Sequence, residues 1–414
     1  MQQRFGENKQ WMIPLLLVFA LYLICGVASE KGLDAHVRDG YVTEGGDYHL
    51  DWGDTRPVDP LASNPEDAKD VNGPTKSYTN FAIVGFGLAT LVAYTILRDK
   101  LTLAILMLNP ALIYSFGKGY DELFIIAVMG IAWVLWSRKQ TSEQSQSEQA
   151  AQIQKVKRAA QILLAAGVMS LIPLQKFMFG FEEWIFSILI FWAIGLSVEY
   201  TPDRFYKPRQ TLGVGFALGT GVIIVLGLLG YGSFSIITSH PVRFLSAWPI
   251  ALLDVILIYG LVGMVLWPFA ITTWKKMGVI EDRDIGELTL LIGTLSGVIV
   301  TYVASLWTFE SVLWDSEWPL HMWTMGNNGR YITILVIPAY LLVQKVNDGI
   351  DWKEKKAIIG IALIIPLSLL ASLHGQTYWT DDAGEILDKE MDDNGEFLFV
   401  HDSTLGMHSL YTFH

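Results

Sequence analysis

The stretch TLGVGFALGTGVIIVLGLLGY, residues 211–231, holds no charged side chain. As a helix it would cover about 30 Å, the thickness of a bilayer's hydrocarbon core. Backbone polar groups cannot stay unpaired in lipid, so a spanning stretch of this kind must be helical. Gly213, Gly215, Gly219 and Gly221 fall within it. Small residues at such intervals let membrane helices approach closely. They are no nucleotide fingerprint, because no strand precedes them.

Outward from this stretch lie ten more apolar runs: 11–28, 81–97, 101–116, 122–136, 162–176, 184–198, 249–272, 288–307, 331–344 and 357–373. The third to sixth runs in chain order, and the tenth, are short, so they tilt little or are partly re-entrant. The first is too long, and its Cys25-Gly-Val-Ala28 end too poor a cleavage site, for a signal peptide. The chain of 414 residues is 52% hydrophobic and 17% charged, with mean hydropathy +0.37, which excludes a disordered chain. The expected fold is an all-α polytopic membrane protein of about eleven transmembrane helices over residues 1–373. It has a large first loop at 29–80. Residues 374–414 form a tail that starts an α/β unit, with helical character over 381–392 and alternation toward a strand at 396–400. So small a unit cannot bury a core by itself. Either it docks on the membrane domain or the chain stops early relative to longer relatives.

Charge orients the stack. Alternate connectors (the start, 98–100, 137–160, 199–210, 275–287 and 345–356) hold 19 of the 29 Lys and Arg against 13 acids. The opposite side holds 27 of the 41 acids. The positive-inside rule then puts the N-terminus in the cytoplasm and the first loop and C-terminus outside. An acidic outer face disfavours nucleic acid as a partner. Cys25 is the only cysteine, which rules out an internal disulfide and a thiolate metal site.

The loop 29–80 is dense in acids. If its start is helical, Asp34, Arg38 and Tyr41 share a face. Asp34 lies a few residues past the first span, where partial desolvation would favour a base. Among the few outer-side cations, Lys118, Lys176, Arg243 and Arg330 lie next to spans, where such side chains either extend to lipid headgroups or hold a phosphate. His240 sits near Arg243 and is placed to line the same cleft. The loop 307–323 is aromatic, which reads as an interfacial belt, the alternative being a stacking platform for a sugar or acceptor. Its Glu310, Asp315, Glu317 and His321 lack a recognised ligand spacing, so no metal is expected. Asp254 lies inside the eighth span, where acids are functional candidates or helix-end partners.

The motif Asp34-x-His36-x-x-x-x-Tyr41, followed by Tyr48-His49-Leu50-Asp51-Trp52-Gly53, resembles the first outer loop of GT-C superfamily glycosyltransferases. Asn109-Pro110-Ala111-Leu112-Ile113-Tyr114 with Gly119-Tyr120-Asp121-Glu122-Leu123 is similar to their third span and the opening of the fourth. Gly329-Arg330-Tyr331 with Pro338-Ala339-Tyr340 is similar to their late Arg-Tyr and Pro motif. The resemblance implies transfer of a sugar from a polyprenyl- or dolichyl-phosphate donor to a glycan, lipid or protein acceptor on the non-cytoplasmic face. Asp34 is implied as the base, with Asp121 and Asp51 assisting. Trp52-Gly53-Asp54 stands where the family carries a Pro-Pro motif. Arg330 is implied on the lipid phosphate and Tyr331 beside it, with His36 and Tyr41 on the substrate. No cofactor beyond the lipid-linked donor is implied. Two other readings of the residues are a transporter or flippase for a lipid-linked solute and a non-catalytic subunit of a glycan assembly. The first would carry ionisable residues at mid-membrane depth. The second would leave Asp34, Asp121 and Arg330 apart.

Overall fold

A computed structural model describes residues 12–28, 76–120, 122–137, 148–176, 180–262, 266–313, 328–373 and 379–390. Among them every regular element is helical. Five helices are long and apolar enough to cross a membrane: 152–174, Phe181–Tyr200, Pro208–Leu228, Arg283–Phe309 and Lys355–Leu373. A bent pair makes a sixth if it counts as one span. Three shorter apolar helices accompany them. The composition and these helices agree on an all-α membrane protein.

The chain opens with α1 (Met12–Ala28) and α2 (Lys76–Leu97). Helix α2 starts inside the expected loop 29–80, because backbone hydrogen bonding extends past the apolar run that marks the span in sequence. Next come α3 (Lys100–Leu106), α4 (Pro110–Gly117) and α5 (Glu122–Trp136). The expected single span 101–116 is in fact α3 and α4, bent by 69°. The cause is local. Pro110 disfavours helical geometry in the residue before it, and Asn109 turns extended at ψ 125°. Its side chain then accepts from the Ala111 and Leu112 N–H groups and starts a new helix. The buried Ser368 hydroxyl donates to the Leu108 carbonyl at this break. Helix α1 packs there too. Tyr22 lies 5.0 Å from Phe86 and 5.1 Å from Phe116, and the Cys25 thiol donates to the Ile113 carbonyl.

Helices α6 (Glu148–Met169), α7 (Leu171–Lys176) and α8 (Phe181–Tyr200) form an outlying hairpin on α5. The centre is α9 (Pro208–Leu228) against α13 (Arg283–Leu313), with Gly215 and Gly219 facing Gly293 and Gly297. Between them run α10 (Ile236–Ser239), α11 (Pro241–Leu252), a π-helix (Leu253–Val262) and α12 (Ala270–Met277). The expected span 249–272 is therefore composite. Pro249 withdraws a backbone donor inside α11 and Pro268 does so again ahead of α12, so no single α-helix carries through. The expected span 331–344 is composite as well: a 3₁₀ stretch (Asn328–Leu335) followed by α14 (Val336–Asn347). The chain continues in α15 (Lys355–Leu373) and α16 (Trp379–Glu390). Helix α16 covers most of the helical region read in the tail. The strand read at 396–400 lies outside the described residues.

The described basic connectors gather at one end. Arg158 donates to Glu199 at 3.0 Å and to the Trp136 carbonyl, and Trp136 donates to Glu287. Arg283 pairs with Glu287 at 2.8 Å and Asp203 at 2.6 Å, and caps the carbonyls of Val198, Glu199 and Thr201. Asn347 reaches Thr273, and Trp352 donates to Thr102 beside Asp99. These contacts join the described basic connectors into one cluster. Arg283 is its clamp, and its fork reaches five partners at once. Lys has no such fork. Arg283→Lys is expected to cost about 2 kcal/mol, mostly from the carbonyl bonds, since Asp203 is exposed and its pairing is weak. Thermal unfolding in detergent checks this, and an unchanged midpoint would contradict it.

Candidate functional site

At the opposite end, α4 stops in a Schellman turn. Gly119 takes φ 69°, the Tyr120 N–H reaches the Ser115 carbonyl at 3.0 Å, and the Gly119 N–H reaches Phe116. A Cβ at Gly119 would be strained in that left-handed conformation. The turn folds Tyr120 back towards the 3₁₀ stretch and places Glu122 in the first turn of α5. From the other side, the 3₁₀ stretch delivers Arg330, whose backbone carbonyl accepts from Thr333.

These residues close on one another. The Arg330 guanidinium lies 3.7 Å from the Tyr120 ring centroid and 4.9 Å from that of Tyr331. Its Nη2 donates to the Tyr331 hydroxyl at 3.0 Å. Its Nε faces Glu122 Oε1 at 3.3 Å, with the two side chains only 8% and 1% exposed. Lys118, two residues before Tyr120, is fully buried. Charge is costly in such surroundings unless it is paired, and the carboxylate and the two rings offset part of that cost.

An aromatic row leads away from this cluster. Tyr331 meets Tyr302 edge-on at 5.2 Å, and Tyr302 meets Phe234 at 6.1 Å. Phe234 lies six residues before His240 in the segment that carries Arg243. Arg243 donates to Ser311 at 3.3 Å, and His240 Nδ1 lies 3.2 Å from the Ser239 hydroxyl. The row thus runs from Arg330 to the chain segment that carries Arg243. A small apolar cavity of about 20 Å³ lies between α2, the α3–α4 elbow, α5 and α14. Its walls include Phe86, Ala89, Leu106, Met107, Leu123 and Val336.

Of the residues singled out in sequence, Arg330 and Tyr331 form the centre, with Lys118 in the adjoining connector. Arg243 and His240 stand apart along the aromatic row. Asp34, His36, Tyr41, Asp51 and Asp121 lie outside the described residues, as do Asp315, Glu317 and His321. Glu122 and Tyr120 were quoted in a motif without a role, yet they hold Arg330. An acid opening an apolar helix reads as a partner of the helix dipole, which hides its true counter-ion. Among the described residues no three His, Cys, Asp or Glu side chains gather as metal ligands. No family model, curated protein or solved structure matches this chain.

Proposed function

We propose that the chain is an integral membrane glycosyltransferase using a polyprenyl- or dolichyl-phosphate sugar. Eleven spans follow if the bent pair, the three shorter apolar helices and the two composite segments each cross. The Arg283 end then faces the cytoplasm and the Arg330 end faces outward. The observation that carries the reading is a buried guanidinium stacked on two tyrosine rings, in a bundle that also buries Lys118 two residues before one of those rings. A guanidinium and an ammonium suit the anionic phosphate of a lipid-linked sugar. The phosphate would take the place of the Tyr331 hydroxyl on Nη2.

In the reaction the acceptor hydroxyl gives its proton to Asp34. Its oxygen attacks the sugar's anomeric carbon, and the bond from that carbon to the phosphate oxygen breaks. The electron pair leaves with the polyprenyl phosphate, whose gathering negative charge Arg330 and Lys118 offset. Asp121 and Asp51 assist at the acceptor, and His36 and Tyr41 line the substrate. Arg243 and His240 would meet the far end of the donor or acceptor along the aromatic row.

Asp34→Asn tests this in membranes supplied with lipid-linked sugar. Transfer is expected to fall by about a hundredfold or more, the usual contribution of a positioned base. Transfer at the wild-type rate removes Asp34 from the mechanism. A second reading, a transporter or flippase, draws on the burial of Lys118, Glu122 and Arg330, since ionisable groups inside a bundle often mark a solute path. It predicts that purified protein in vesicles moves the lipid-linked sugar between leaflets with no acceptor present.

A further inference from the structure

We propose that residues 203–209 together with α12 form a docking site for the headgroups of anionic phospholipids. Helix α12 fixes one face to the protein through buried Thr273 and Met277, and Asn347 donates to the Thr273 hydroxyl at 2.9 Å. Its other face exposes Ile271 and Trp274, and Val279 follows just beyond it. A helix end facing bulk water would gain nothing from that apolar surface, whereas an interfacial one would.

Cations frame the apolar face. Arg209 stacks 4.9 Å over Trp274 and donates to the Trp274 and Lys275 carbonyls, which locks α12 to the start of α9. Arg204 stacks 5.0 Å over Phe205, and both are exposed. Lys275 and Lys276 close the last turn of α12. The acids nearby are largely engaged. Asp203 is held by Arg283 at 2.6 Å, Glu281 lies 3.6 Å from Lys207, and Asp282 accepts from the Ile285 N–H. Arg204, Lys207, Arg209, Lys275 and Lys276 outnumber Asp203, Glu281 and Asp282, so the patch is net positive.

The depth of the patch comes from α9. Its exposed stripe, Val214, Leu218, Val222 and Val225, points away from the glycine contact with α13 and is the lipid face of a membrane-crossing helix. The stripe begins five residues after Arg209, about 8 Å along the axis. Arg209 and Trp274 thus fall at headgroup level, where tryptophan concentrates and arginine extends towards phosphate. Continuity with this lipid-facing stripe selects a bilayer, and the sign of the charge selects anionic lipid. The inference does not depend on the glycosyltransferase reading, because it involves neither Arg330 nor the acidic loop.

The test uses the full chain in neutral detergent with dioctanoyl phosphatidylglycerol, dioctanoyl phosphatidylcholine or inorganic phosphate added. Phosphatidylglycerol is expected to raise the thermal midpoint, and phosphatidylcholine to raise it less. Arg204→Gln/Lys275→Gln/Lys276→Gln should need about tenfold more phosphatidylglycerol for the same rise. All three positions are surface-facing or half-buried, and Lys275→Gln alone, which should shift the response in the same direction by less, guards against misfolding of the triple variant. Equal effects of the two lipids, an unchanged response in the variants, or equal protection by inorganic phosphate would each overturn the proposal.

Discussion

Arg330→Met is expected to destabilise the protein by about 3–5 kcal/mol, because it leaves the Glu122 carboxylate buried without its cation. Both side chains are almost wholly enclosed, so solvent screening does not reduce the figure. Part of the loss is the stacking on Tyr120 and Tyr331, which a thioether reproduces only weakly. Glu122→Gln/Arg330→Met removes both charges and should recover much of the lost stability. Arg330→Lys keeps the charge but loses the planar fork and should fall between these two. Thermal midpoints of the four proteins in one detergent decide the matter. If the single and double variants melt together, the ion pair does not hold this end of the bundle. The same series separates structure from function. A double variant that folds yet fails to transfer lipid-linked sugar would assign Arg330 to the donor as well as to Glu122.

Much of the scaffold was legible because membrane spans announce themselves by length and lack of charge. The grouping of basic connectors followed from charge alone. Contacts such as Arg158 with Glu199 and Arg283 with Asp203 place three distant segments together. What hydropathy missed is the interruption of helices. Asn109-Pro110 was quoted as a motif, yet an apolar scan runs straight through it and the 69° bend comes from capping. The π-helix after Pro249 leaves no mark on hydropathy either. At the site, Arg330 stood out through the scarcity of outer-side cations. Its partner did not, because Glu122 and Arg330 belong to different segments and only the tertiary fold joins them. The acids proposed for catalysis lie outside the described residues and are known from sequence motifs alone, whereas the electrostatic frame around Arg330 is seen in contacts.

Gly219→Leu should separate the two central helices. A Cβ on Gly219 would stand 2.0 Å from the Thr294 carbonyl oxygen and 2.8 Å from the Val298 nitrogen. A Cβ on Gly215 would meet the Leu290 carbonyl at 2.4 Å, while Gly293 and Gly297 face the Leu212 and Phe216 carbonyls at 2.2 Å. Each obstacle is backbone, which cannot rotate aside as a side chain can. Helices α9 and α13 must therefore move apart, and the hydroxyl contacts between Thr211 and Thr289 and between Thr220 and Thr301 stretch with them. Overpacking of this kind costs about 1–3 kcal/mol even where neighbours can yield, and more is expected here. The controls lie on the same helix. Gly213 and Gly221 have open space where a Cβ would go, so Gly221→Ala should be neutral or stabilise by up to about 1 kcal/mol through helix propensity. The contrast between positions 219 and 221 isolates contact from composition, because both variants add carbon to the same apolar helix. Matching thermal midpoints for the two would mean that the close approach of α9 and α13 does not hold the bundle together.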